Sequence, residues 1–286
     1  MLKGLLIVIL LALAAAAGVG TGYLLWGIPK NWYAVDITKL GPGEENDLIR
    51  YGRDLIVNTP LHIGKNAANP ATRFAGNDLA CQSCHLNAGL APFAAPFVST
   101  FATFPMMVDD QVLTLAQRLN GCMRRSMNGK DLSPESREMQ ALIAYIKFVG
   151  RGTPEGVRIA GMGLKPITQP TEPPDARRGE TVYANLCVKC HKEDGQGEPK
   201  PAPGVGYFIP PLWGDASFNA GAGMAKTAYA ASYIRDNMPF GVDHRAPVLT
   251  VQQAWDVAAY MISKPHPPAN TASRRNSCFS ASDRRS

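Results

Sequence analysis

Charge is scarce along this chain. Of its 286 residues 18% are Asp, Glu, Lys or Arg, while 45% are hydrophobic, against about 25% charged in an average soluble domain. A chain with so much apolar surface and so little charge buries a core, which excludes intrinsic disorder as its general state. Acidic residues are the rarer sign, 23 against 29 basic ones, for a formal charge of +6. That balance suits an anionic partner or substrate and says nothing about fold. No basic stripe accompanies it: the densest cluster, Arg124, Arg125 and Lys130, lies inside a segment with other duties. Nucleic acid is therefore set aside.

Beyond residue 3 the N-terminal stretch lacks charge altogether. After the short basic start Met1-Leu2-Lys3, residues 4–28 contain no charged side chain. A secretory signal has an apolar core of about 7–15 residues, whereas a spanning helix needs about 17–25. Ala15-Ala16-Ala17 would serve as a cleavage site, yet Tyr23, Leu24, Leu25 and Trp26 prolong the apolar run beyond it. Trp26, Lys30 and Tyr33 suit a membrane–water interface. Residues 1–30 thus read as an uncleaved membrane anchor in preference to a removed signal peptide. Either reading exports the body of the chain to the periplasm.

Cysteine is also sparing, six in all, and four of them fall into two identical units. These are Cys81-Gln82-Ser83-Cys84-His85 and Cys187-Val188-Lys189-Cys190-His191. Two thiols on one turn followed directly by an imidazole is the pattern of covalent haem c attachment. A zinc site or a redox dithiol is the plainer reading of a lone Cys-x-x-Cys pair. Two copies, each followed by His and both behind an export signal, favour two covalently bound haem c groups.

The surroundings repeat with the motifs. Residues 45–58 predict a helix with Leu48, Tyr51, Gly52, Leu55 and Ile56 on one face. The first motif follows, then a Pro- and Gly-rich stretch, then a helix starting at Ser133-Pro134 and ending before Gly150. In the second half, residues 175–185 predict a helix with Gly179 and Tyr183 ahead of the motif, and residues 251–262 a closing helix. Gly179 is placed where another helix would cross closely. Residues 151–174 hold Pro154, Pro166, Pro170, Pro173 and Pro174 with little periodicity, and read as a linker. Residues 265–286 are polar and basic and read as a disordered tail. The expected architecture is mainly all-α: two tandem class I cytochrome c-like domains, residues 41–150 with the first haem and residues 175–264 with the second.

His85 and His191 supply the fifth ligand of each iron, and the sixth decides the chemistry. In the second domain the best candidate is Met238, just before the closing helix, with Met224 next and Lys226 a remote third. The first domain offers Arg118-Leu119-Asn120-Gly121-Cys122-Met123-Arg124-Arg125-Ser126-Met127-Asn128-Gly129-Lys130. Residue chemistry alone leaves the Cys122 thiolate level with the thioethers of Met123 or Met127, and a disulfide from Cys122 to Cys278 is disfavoured. On a helix Arg118 and Arg125 stand at i−4 and i+3 from Cys122, on its face. Two such cations would favour the thiolate and would bind an oxyanion bidentately. The plain alternative is a solvated basic face.

At these residues the chain resembles the diheme thiosulfate dehydrogenases, periplasmic enzymes that form tetrathionate. The resemblance rests on residues 81–89, 118–129, 136–142, 210–214, 217–224 and 237–239, and spans most of residues 45–265. It implies an oxidoreductase in which His85 and Cys122 hold the first haem, where substrate binds, and His191 and Met238 hold the second, where electrons leave. Asn237 precedes Met238, so no lysine adjoins it. Thiosulfate is a dianion, and Arg118 and Arg125 would offset the charge of its pairing, with Ser126, Asn128 and Lys130 as further donors. The expected reaction joins two thiosulfate ions into tetrathionate and passes two electrons to a periplasmic cytochrome c or similar acceptor. The alternatives are a pure electron-transfer diheme cytochrome and a sulfur-transferring haem protein of the Sox type.

Overall fold

In the computed structural model, residues 36–108, 110–155 and 159–269 are described. The anchor expected within residues 1–30 and Cys278 lie outside them. Among the described residues no helix is long and apolar enough to cross a membrane.

Among the described residues six helices of eleven residues or more carry the fold: α1 Glu44–Val57, α2 Leu115–Arg125, α3 Arg137–Val149, α4 Ala176–Leu186, α5 Thr227–Asn237 and α6 Val251–Ser263. Two small antiparallel hairpins accompany them. In the first, β1 (Met106–Val108) pairs with β2 (Gln111–Leu113), Met106 opposite Leu113. In the second, β3 (Glu198–Pro199) pairs with β4 (Tyr207–Ile209). The mainly helical architecture is as expected, and the same construction occurs twice.

In the first unit α1 crosses α3, and Gly52 is the point of contact. A Cβ on Gly52 would lie 1.9 Å from the Ala141 carbonyl oxygen. In the second unit α4 crosses α6 at Gly179, where a Cβ would lie 2.0 Å from the Asp256 carbonyl oxygen. Only hydrogen fits at either crossing. Leu55, Ile56, Met139, Tyr145 and Ile146 form the core beneath the first crossing, and Tyr183, Trp213 and Tyr260 pack ring against ring beneath the second. Asp256 also receives Arg178 Nε at 2.8 Å and Nη2 at 2.9 Å, tying α4 to α6 a second time.

Two expectations need correcting. The helix placed at Ser133-Pro134 begins three residues later. Ser136 is its cap, its hydroxyl accepting the Met139 amide, and the Ser133 carbonyl is taken up by the Ser136 amide and hydroxyl. The segment expected to be a disordered tail from residue 265 is still packed at its start. Gly214 and Ala220 donate backbone hydrogen bonds to the carbonyls of Pro265 and Pro267, and His266 stacks on Phe218 at 4.7 Å. Between the units, the segment expected to be a linker is tied to both. Gly161 and Gly163 accept from the Phe93 and Ala95 amides, and Thr168 accepts from Trp255 Nε1.

Candidate haem and thiosulfate site

The first motif is held by Thr59, two residues beyond the end of α1. Thr59, fully buried, donates its hydroxyl to the Leu55 carbonyl at 2.6 Å and accepts the Cys81 amide at 2.9 Å. From there the chain turns tightly, His85 N–H reaching back to the Cys81 carbonyl at 3.0 Å, so both thiols and the imidazole leave one turn. His85 Nδ1 donates to the Ala95 carbonyl at 2.5 Å and its ring stacks on Phe97. The second motif repeats the device: His191 N–H returns to the Cys187 carbonyl at 2.9 Å and Nδ1 pairs with the Pro210 carbonyl at 3.2 Å.

A histidine that gives Nδ1–H to a carbonyl keeps its lone pair on Nε2, the state a metal ligand needs. Burial pushes the His85 imidazole down to about 4, assisted by the positive charge of Arg118 and opposed by the Ala95 bond. Burial lowers His191 as well. Cys81, Cys84, Cys187 and Cys190 form no disulfide, and among the described residues no three His, Cys, Asp or Glu side chains converge as zinc would require. Both motifs therefore fit covalent haem c, attached through Cys81 and Cys84 in one unit and Cys187 and Cys190 in the other.

Helix α2 brings the remaining sulfur to the first motif. Thr114 caps it in a reciprocal box with Gln117, which fixes where the helix starts and hence the face each later residue occupies. Cys122 stands close enough to Cys81 and Cys84 for its charge to help push both thiols' pKa up, although burial is the larger cause. Met123 and Met127 are 3% and 4% exposed and belong to the hydrophobic core. Arg118 is half-buried and its charge acts on His85.

Arg125, 3% exposed, is no solvated face. Its guanidinium folds back along its own helix, with Nη2 2.7 Å from where a Cβ on Gly121 would be. Gly221 of the second unit covers it, a Cβ there lying 3.5 Å from Arg125 Cδ. Neighbouring Arg124 is spoken for by Asp131, at 2.6 and 2.5 Å. Ser126 caps α2, its amide returning to the Cys122 carbonyl. Asn128, at φ 48°, accepts from Asn219 Nδ2 at 3.2 Å. Lys130 is exposed and stands over the Phe74 ring, 5.3 Å from its centre.

Sequence reasoning missed the polar residues that hold this end of α2. Asn219 is fully buried; its side chain donates to the Arg124 carbonyl at 2.9 Å and its amide to the Arg125 carbonyl at 3.2 Å. Asn77, also buried, donates to the Ser126 carbonyl at 3.0 Å and the Ser217 carbonyl at 3.1 Å. The last carbonyls of a helix have no partner within it, and here the second unit supplies one. The signal lay in residues 217–224, where two polar side chains sit among small ones.

In the second unit Met238 ends α5, half-buried, with its amide bonded to the Ile234 carbonyl at 2.9 Å. Met224 lies in a short 3-10 turn, Gly223–Ala225, packed against the core. Lys226 sits beside the Tyr229 ring.

Comparison with known proteins agrees with this construction. The family described as SoxA/TsdA, cytochrome c domain, matches residues 71–154, and the cytochrome c family matches residues 176–264. The chain is 36% identical over 234 residues to a thiosulfate dehydrogenase of Allochromatium vinosum, covering 80% of this chain and 82% of that one. To the thiosulfate dehydrogenase of Stutzerimonas stutzeri it is 35% identical over 223 residues, 77% of this chain and 68% of the relative. Among solved structures it is similar to thiosulfate dehydrogenase (TsdBA) from Marichromatium purpuratum, with a TM-score of 0.72 and 32% identity. That alignment takes in 84% of this chain and 52% of the other, so the chain spans about half the length of that structure.

Proposed function

This diheme cytochrome c belongs to the thiosulfate dehydrogenase family, and from that premise we propose that it acts in the periplasm, joining two thiosulfate ions into tetrathionate. The observation that carries the reading is Cys122 beside the first attachment motif, on a helix that also presents Arg118 and Arg125. The stoichiometry is two thiosulfate dianions giving one tetrathionate dianion and two electrons, with one sulfur–sulfur bond formed. Haems attached at the two motifs would supply the one-electron couples that this oxidation needs, with a cytochrome-type protein as acceptor.

The residues do the rest. His85 and Cys122 are assigned to the first iron, His191 and Met238 to the second. The Cys122 thiolate would lower the potential of a haem held there and the Met238 thioether would raise that of the other, which favours electron exit from the second unit. Arg118 and Arg125 meet the dianion: bringing two thiosulfates together gathers four negative charges, and fixed cations lower that barrier without reorganising. Ser126 and Asn128 stand at the same end of α2 as lesser donors, and the tie between Asn128 and Asn219 makes Asn128 the more constrained of the two. Residues 4–28 are assigned to an uncleaved tether in the inner membrane, expected to keep the protein with the membrane fraction until detergent is added.

The test is thiosulfate-dependent reduction of ferricyanide or a cytochrome by the purified holoprotein. Wild type turns over with tetrathionate as product. Cys122→Met keeps two haems per chain, loses nearly all turnover, and loses the low-spin thiolate features of its paramagnetic resonance spectrum. Near-normal turnover by Cys122→Met would sink the assignment.

A further inference from the structure

Helix α5 ends at Met238, and one of its faces is fastened to the other cytochrome unit. Tyr233 and Asn237 stand one helical turn apart and so share a face. Both are buried, at 5% and 9% exposure. The Tyr233 hydroxyl donates to the Ser83 carbonyl at 3.3 Å, and Ser83 lies between the two attachment cysteines of the first motif. Asn237 Nδ2 donates to the Phe93 carbonyl at 3.3 Å and to the Tyr233 carbonyl at 3.0 Å. Phe93 is two residues from Ala95, whose carbonyl receives His85 Nδ1.

The segment that receives Asn237 is itself held under constraint. Phe93 and Ala95 both adopt left-handed backbone conformations, φ 58° and 50°, which cost energy in any residue with a Cβ. Bonds from their amides to Gly161 and Gly163, at 2.7 and 3.1 Å, keep them there, and the His244 ring packs edge-on against Phe93 at 4.7 Å. Constraint of this kind persists where the surroundings over-determine it, and it gathers at functional sites.

We propose that Tyr233 and Asn237 are positioning residues for the internal electron step, bolting the Met238 turn to the loop that attaches and orients the first haem. The inference rests on the assignment of Cys81, Cys84 and His85 to one haem and Met238 to the other. The step it serves would pass one electron at a time between the groups that these two sets of residues would hold. No bond is made or broken, so geometry and potential are all that the protein can set. Each bond is long, so the pair matters more than either member.

The experiment uses the full-length holoprotein with Tyr233→Phe, Asn237→Leu and the double substitution. Haem content, the resonance spectrum, the internal electron equilibration rate after flash reduction, and the KM for thiosulfate are read on each. The expected result is two haems per chain and a KM within about twofold of wild type, with equilibration slowed on the order of 10-fold in the double variant. Resonance signals of both haems broaden, which mere loss of packing in one unit does not produce. Tyr233→Phe keeps the ring, and Asn237→Asp keeps the shape while removing the donor. If the Leu variants fail to take up haem, the Phe/Asp pair carries the test. An unchanged equilibration rate with unchanged spectra overturns the proposal. Met238→Gly serves as the separate control: a second haem with an unaltered spectrum in that variant removes the ligand assignment, whatever Tyr233 and Asn237 do.

Discussion

Burying a guanidinium is expensive, and Arg125 is only 3% exposed, which makes it a direct test of the proposed anion site. A charge-assisted contact to an anion is worth about 1.5–3 kcal/mol, so losing one should cost on the order of 10- to 100-fold in kcat/KM. Arg118→Gln and Arg125→Gln are expected to show that loss, and Arg125→Lys to recover only part, since an ammonium has no planar fork. Gly121→Ala is the sharper experiment. It leaves every charge in place and displaces one, because its Cβ would lie 2.7 Å from Arg125 Nη2. Steady-state kinetics should find Gly121→Ala impaired toward thiosulfate; normal turnover in all four variants would make the pair an incidental cluster. The i−4 and i+3 spacing made the arginines legible in the sequence. Their burial was not, because the glycine that covers Arg125 comes from the other unit.

Helices were legible where an amphipathic face marked them, as at α1, α4 and α6, which match expectation to within a residue or two at each end. At α3 two serines three residues apart competed for the cap. Ser133 has proline after it, a good start signal, but its carbonyl closes the turn to Ser136, which leaves Ser136 to cap. Local rules cannot rank two caps of equal chemistry. The glycine crossings are the stronger structural signal, and they can be tested. Gly179→Ala pushes a methyl against the backbone oxygen of Asp256, which cannot swing aside as a side chain would. A loss of about 1–3 kcal/mol is expected in chemical denaturation of the holoprotein, and Gly52→Ala should behave alike. An undiminished denaturation midpoint in both would mean that the paired helices do not cross at these residues.

Across the whole molecule, the two haem motifs announced two cytochrome units, but nothing local announced how they are joined. Asn77 reaches a carbonyl 140 residues along the chain, and Asn219 one 95 residues back. Pairings at that range have no sequence period to betray them. Their effect is to make the helix bearing Cys122 depend on both units. Calorimetry of the wild-type holoprotein is expected to give one unfolding transition, and Asn219→Ala two, with a loss of about 1–3 kcal/mol at the interface and both haems retained. Two separate transitions already present in the wild type would show that the interface carries little stability.

The acceptors chosen by His85 and His191 have a further meaning for how such a protein can change. Each imidazole is oriented by a main-chain oxygen, that of Ala95 or Pro210, and every amino acid carries one. A carboxylate in that role would vanish with a single nucleotide change; these oxygens survive any replacement that leaves the loop's path intact. Substitution within these two loops therefore leaves the orientation of His85 and His191 in place, while a gain or loss of one residue in either loop alters it at once.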